Sequence, residues 1–158
     1  MACGSGRHMQ WLQSQGFSAF GVDRDENALL SAKAFGEVLC ADLEYAAWPL
    51  SDRHFDAVVV TNYLWRPAWN ALLASLKPDG VLIYETFATG NESVGKPSRP
   101  EFLLNHGELL LLCKAMRIVA FEEVFLQSPD RYVQRVVAVN TDNNDKRFLG
   151  APPTAQKS

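Results

Sequence analysis

Charge of one sign is nowhere concentrated in this chain: 15 Lys and Arg stand against 18 Asp and Glu, a net of −3. Without a dense basic block, the electrostatic footprint that nucleic acid requires is missing. The small basic pairs, Lys96 with Arg99 and Lys146 with Arg147, read as solvated surface. Cysteine is scarce too. Cys3, Cys40 and Cys113 are far apart and odd in number, which excludes a disulfide framework and any CxxC or zinc-ligand spacing. No metal site is expected, and a reducing cytoplasm is the simplest setting. No apolar run is long enough for a membrane span. The first apolar stretch is broken by Arg7, His8 and Gln10, so it does not read as a secretory leader. Internal repeats are absent.

What is present suits one domain. The 158 residues are 47% hydrophobic and 21% charged, too apolar for disorder and enough for a core without disulfides. Residues 6–15 read as a helix stopped by Gly16, 17–22 as a strand, and 26–35 as a helix capped by Asp25. A strand over 37–41 and a loop over 43–54 follow. Phe55 to Thr61 carries Ala-Val-Val-Val, an unalternating β-branched run that suits a strand covered on both faces of a parallel sheet. Pro67 opens a helix with its stripe on Trp69, Leu72, Leu73 and Leu76, and Lys77-Pro78-Asp79-Gly80 is a turn. A strand over 81–87 leads into a long loop, 88–105. Asn105 and Glu108 form a cap-like pair opening a helix with stripe Leu109, Leu112, Cys113 and Met116. The last strands, 117–124 and 132–139, are too close in sequence for a crossover helix and should pair antiparallel. Residues 141–158, with Pro152-Pro153, read as a disordered tail behind a domain over 1–140. The expected class is α/β: a Rossmann-like sheet, mostly parallel, with an antiparallel C-terminal hairpin.

Ligands in such sheets sit at the carboxyl ends of the strands. Four features fall there. Ala2-Cys3-Gly4-Ser5-Gly6-Arg7 is a small turn running into a helix, where Gly4 and Gly6 allow close backbone approach and free N–H groups favour an anion. Asp23 ends the next strand, placed to accept from both hydroxyls of a ribose; Asp25 serves better as the helix cap. Ala41-Asp42-Leu43 ends the strand after that. Asp42 could accept from an exocyclic amine or simply shape a turn. Thr61-Asn62-Tyr63-Leu64 ends the Val-rich strand and should face a reacting centre.

Together these resemble a class I S-adenosylmethionine-dependent methyltransferase, from about Ala2 to Val139. The carriers are the Gly-Ser-Gly turn, Asp23, Ala-Asp-Leu at 41–43, Phe-Asp-Ala-Val-Val-Val at 55–60 and Leu-Lys-Pro-Asp-Gly-Val-Leu-Ile at 76–83. Ala-Cys-Gly-Ser-Gly-Arg-His, Thr-Asn-Tyr-Leu, Tyr-Glu-Thr-Phe-Ala and Gly-Asn-Glu look like the small bacterial tellurite-resistance type. The resemblance implies a cytoplasmic enzyme that moves a methyl group from S-adenosylmethionine to a small molecule. It sets Gly4 and Gly6 beside the methionyl part, Asp23 on the ribose, Asp42 and Leu43 on the adenine, and Asn62 and Tyr63 beside the sulfonium. Acceptor-side candidates are Trp65, Arg66, Glu85 and Asn91, with Tyr63 and Glu85 as the catalytic pair. Glu85 also reads as a structural carboxylate. His8 and His54 read as surface or packing residues, and His106 as local to its helix.

Two rival readings stand beside this. A nicotinamide-dependent Rossmann dehydrogenase expects a third glycine where Met9 stands. A catalytically inactive remnant is the other, because the first strand usual in the family, central between those ending at Asp23 and Thr61, is absent. Each unpaired buried backbone group costs about 1–3 kcal/mol, so such a gap rivals a typical stability of roughly 5–15 kcal/mol. The expectation is an N-terminally truncated domain whose natural chain extends upstream of Met1. Taken as it stands, the chain should pair the flanking strands, borrow a strand from a partner as a homodimer, or fold poorly.

Overall fold

The computed structural model describes residues 1–141; the expected tail lies outside the described residues apart from Thr141. Helix α1 (Arg7–Ser14) leads to β1 (Phe20–Asp23), α2 (Glu26–Ala32) and β2 (Glu37–Cys40), and the two strands pair in parallel. Asp25 caps α2 as expected, accepting from the N–H groups of Asn27 at 2.9 Å and Ala28 at 3.1 Å. Met9 of α1 packs on Leu29 and Ala32 of α2, so both helices are fixed to each other beside the small sheet.

A four-stranded sheet holds the rest, in the order β3-β4-β6-β5. It comprises β3 (Phe55–Thr61), β4 (Leu76–Phe87), β5 (Arg117–Leu126) and β6 (Arg131–Val139). β3 and β4 are parallel, while β6 runs antiparallel to both β4 and β5. One face carries Val58, Val60, Leu82, Tyr84, Val136 and Ala138 into the main core. α3 (Trp69–Ala74) and α4 (Glu108–Leu112) cover it with Trp69, Leu72 and Leu109. Two elements differ from expectation. Lys77–Gly80 is a bulge inside β4 rather than a turn before it: the register jumps from Phe55↔Leu76 to Ala57↔Val81. Asn140 holds that bulge through Asp79 N–H to Asn140 O and Asn140 N–H to Gly80 O, both at 2.8 Å. α4 is short, ending before Cys113 and Met116, because β5 is already paired with β6 from Arg117 on.

No ladder joins β1 to β3 among the described residues, so the strands form two sheets. The flanking strands therefore do not pair directly, as one expectation had it. Residues 1–3 lie between them. The Met1 amino group donates to Val59 O at 2.8 Å, and Cys3 N–H donates to Val22 O at 3.0 Å. One segment bonding to both edges sets them two strand spacings apart, roughly 9.5–10 Å. The rings of Phe20 and Phe55 stack across the remaining space with centroids 5.8 Å apart, and the Arg53 guanidinium lies 4.3 Å above Phe20.

The segment between β4 and α4 is tied down by two side chains. Buried Asn91 donates to Pro97 O at 2.9 Å and accepts from Tyr132 N–H at 3.2 Å. Arg66 grips both oxygens of Glu108, at 2.5 and 2.9 Å, and donates to the carbonyls of Glu101 and Leu103. Glu108 also accepts from Asn105 N–H at 2.8 Å, the cap-like pair read from the sequence. The Arg66 hydrogen bonds hold the Glu108 carboxyl below its ordinary range. Its stabilising effect is therefore present above the ordinary carboxylate pKa and is lost as pH falls through the depressed folded value. Glu108→Gln should lower unfolding free energy by about 1.5–3 kcal/mol at neutral pH. It should also flatten the acid limb of stability against pH, both read by urea titration.

Candidate functional site

The carboxyl ends of β1 and β3 and the first turn of α1 converge on the 4–6 turn. Gly4 N–H donates to Asp23 Oδ2 at 2.7 Å, and Asp25 N–H to Asp23 Oδ1 at 3.0 Å. Each carboxylate oxygen keeps a free lone pair. Gly4 sits at φ +52, and a Cβ there would meet nothing within 4 Å, so its exposed side is an open cradle. Gly6 is glycine for another reason. Its φ is +86, and a Cβ would lie 2.9 Å from Ala32 Cα of α2. The close approach at Gly6 is thus to a helix, whereas open space lies at Gly4. No side chain caps α1, which leaves its first N–H groups available to an anion.

The other expected residues separate into two groups. Asp42 accepts from Glu44 N–H at 2.8 Å, while the Leu43 side chain is buried on Val22 and Leu50. Tyr63 packs against this same cluster, and Glu44 and Asp42 act on it electrostatically. Burial first, then those two acids, push its hydroxyl well above the ordinary tyrosine range. That oxygen is buried without a hydrogen-bond partner among the described residues. Trp65 stacks on Tyr45, centroids 5.1 Å apart, at the rim of this side.

Asn62, with φ +54, faces the opposite side with Thr61 and Glu85. They line an open cleft of roughly 930 Å³, walled by Arg7, His8 and Trp11 of α1. Its floor holds a row set by the strand register: Thr61 opposite Glu85, Glu85 opposite Arg135, Arg135 opposite Glu122. Arg135 lies 3.5 Å from Glu85 Oε2 and bonds Glu122 more closely. The neighbouring row, Val59, Ile83, Val137 and Ala120, is apolar. His8, read from the sequence as a surface or packing residue, lines the cleft; its one signal is its place just after the Gly-Ser-Gly-Arg start of α1. Burial, with Arg7 beside it, lowers its pKa, while Glu85 acts the other way. Arg66 and Asn91 do not line this cleft and serve as the loop clamps described above. His106, read as local to its helix, instead reaches across to β5: its Nδ1 lies 2.5 Å from Glu123 Oε1.

These features define a Rossmann-like domain with a glycine turn and a carboxylate at neighbouring strand ends. A family model described as a methyltransferase domain matches residues 1–80, about half the chain, and the chain belongs to that family. No curated protein matches it. Among solved structures its fold is similar to TehB from Haemophilus influenzae, with TM-score 0.71 and 17% identity over 87% of this chain and 55% of that one. The chain thus spans 55% of the length of TehB. It is also similar to a SAM-dependent methyltransferase from Methanosarcina mazei, TM-score 0.68, 17% identity, over 88% of this chain and 89% of that one. A TehB-like SAM-dependent methyltransferase from Corynebacterium glutamicum gives 0.63 at 21% identity, over 87% and 76%. S-adenosylmethionine (SAM) is the cofactor that goes with this fold family, and the open Gly4 cradle, the uncapped helix start and the orphaned Tyr63 hydroxyl fit a polar ligand here. Nothing favours the dehydrogenase reading, since Met9, at the third-glycine position, is a core side chain only 4% exposed.

Gly6→Ala should misplace α1 against α2. The expected loss is about 1–3 kcal/mol in urea unfolding, because a backbone atom cannot yield and the φ is strained. Gly4→Ala, with open space, should cost less stability than Gly6→Ala.

Proposed function

We propose that the chain transfers a methyl group from S-adenosylmethionine to a small-molecule acceptor in the bacterial cytoplasm. The observation that carries this is the Gly4–Asp23 pair: an open glycine cradle bonded to a carboxylate at the neighbouring strand end. When bound, the cofactor supplies an electrophilic methyl group on a sulfonium. Gly4, Gly6 and the start of α1 would hold its anionic end, and Asp23 its ribose hydroxyls. Asp42 and the Leu43 backbone would hold the purine. Tyr63 lies on that same side, so the geometry favours a purine-side contact over the sulfonium contact that the resemblance implies. Asn62 and Glu85 face the cleft where an acceptor would enter. Alignment alone can supply roughly 7–11 kcal/mol in such transfers, which makes orientation the first task of these residues. Glu85 would take the acceptor's proton, with Arg135 and His8 beside it.

Calorimetry with S-adenosylmethionine and with its demethylated product tests the cofactor assignment. Both should bind, NADH should not, and Asp23→Ala should weaken binding at least about tenfold, about 1.4 kcal/mol. Absence of binding would favour the inactive-remnant reading. For a turned-over acceptor, Glu85→Gln should lower kcat by about 100-fold or more while leaving the cofactor Kd unchanged.

A further inference from the structure

We propose that Tyr84 is a positioning residue: its hydroxyl holds the left-handed turn at the end of β3, and through that turn it aims the Tyr63 hydroxyl at the purine of the cofactor. This rests on the cofactor reading given above. Tyr84 is 1% exposed and lies in β4. Its hydroxyl donates to the Tyr63 carbonyl at 2.6 Å, in the turn that follows β3. The next residue of β4 holds the preceding residue of the turn: Asn62 N–H donates to Glu85 O at 2.9 Å. Two consecutive residues of one strand thus fasten two consecutive residues of the turn, one by a side chain and one by the main chain.

The turn needs both bonds. Asn62 stands at φ +54, a conformation that residues with a side chain rarely adopt. Such a residue persists only where its surroundings fix it. Glu85 O fixes its own N–H, and Tyr84 fixes the carbonyl of the residue after it. Tyr84 is itself held: its ring lies against Trp69 of α3, centroids 5.1 Å apart, and Trp69 Nε1–H donates to Leu112 O at 3.0 Å. Burial pushes the Tyr84 hydroxyl above the ordinary tyrosine range, so it stays a donor well into alkaline solution.

What the turn carries forward is the Tyr63 side chain. It packs against the cluster of Val22, Leu43 and Leu50, beside the strand ends that bear Asp23 and Asp42. Its hydroxyl is buried and has no hydrogen-bond partner among the described residues. A buried hydroxyl left unpaired is costly, and a purine edge, with ring nitrogens that accept and an amine that donates, would satisfy it. Tyr84 belongs to the main core and so acts on the purine only through Tyr63.

Calorimetry with the demethylated product of S-adenosylmethionine tests the proposal on variants that each remove one oxygen. Tyr84→Phe keeps the ring against Trp69 and should weaken binding about fivefold or more, the scale of one hydrogen bond. Tyr63→Phe should weaken it by as much, and the double variant no more than Tyr63→Phe alone. Val58→Ala, a core truncation in β3, should lower stability and leave the Kd unchanged. In the ligand-free protein, Tyr84→Phe should speed amide exchange at Asn62 by about tenfold and leave the β5–β6 amides unchanged. Unchanged binding by Tyr84→Phe would overturn the proposal, as would additive losses in the double variant or an equal loss in Val58→Ala. Wild-type protein that binds neither S-adenosylmethionine nor its product would overturn the cofactor reading instead. Unchanged exchange at Asn62 would still, in that case, overturn the role given to Tyr84.

Discussion

The placement of the candidate site depends on two hydrogen bonds, from Met1 to Val59 O and from Cys3 N–H to Val22 O. They are the backbone link between a two-stranded and a four-stranded sheet. Everything proposed for cofactor binding lies across that junction. On the cofactor side, Asp23 ends β1 and Asp42 follows β2 of the smaller sheet; on the acceptor side, Asn62 follows β3 and Glu85 lies in β4 of the larger one, and the 4–6 turn follows directly from the linking residues. Side chains reinforce the link where the backbone does not, through the Phe20–Phe55 stack and the Arg53 cation above it. Aromatic and cation–π contacts of this kind add about 0.5–1.5 kcal/mol each, less than a ladder of backbone bonds buried between two edges.

The same junction explains why two glycines so close in sequence have different tasks. Cys3 is held by Val22 and Asp23 accepts from Gly4, so the chain must turn within three residues to start α1 over α2. Gly6 makes that turn at φ +86 with Ala32 against it, and Met9 then seals the helix pair. Gly4 bears no such load. Its open side is left by the fold and is therefore the position at which a ligand can approach the backbone.

Local chemistry was legible in the sequence. Asp25 caps α2, Asn105 meets Glu108, and the Val-rich run forms β3 because each rests on neighbours a few residues apart or on composition. The antiparallel sense of β5 and β6 followed from their short connection. What was not legible needs register or distance. Arg66 reads as an acceptor-side candidate, yet it grips Glu108 across 42 positions. The row Thr61–Glu85–Arg135–Glu122 appears only when three ladders are aligned. Tyr63 was expected beside Asn62, but Asn62 adopts φ +54, and a left-handed residue breaks the alternation that would set its neighbour's direction. The two side chains consequently serve opposite sides of the β3 end.

That row carries the chemical argument furthest. An arginine between two carboxylates on a half-exposed sheet face cannot serve both equally, and here it leans on Glu122. Among the described residues the Glu85 carboxylate is left with one ion pair, at 3.5 Å, and a side chain 25% exposed. Of the two carboxylates it is the one less closely held by the arginine. It is also the one nearer Thr61, Asn62 and His8, and so nearer the glycine turn. Glu122 holds the guanidinium in place from β5, two strand spacings further from the site. The asymmetry gives one carboxylate a positioning role and the other a face toward an acceptor, and it arises from strand order: Arg135 stands opposite both, but Glu85 is on β4 beside β3, whereas Glu122 is on β5 at the far edge of the sheet.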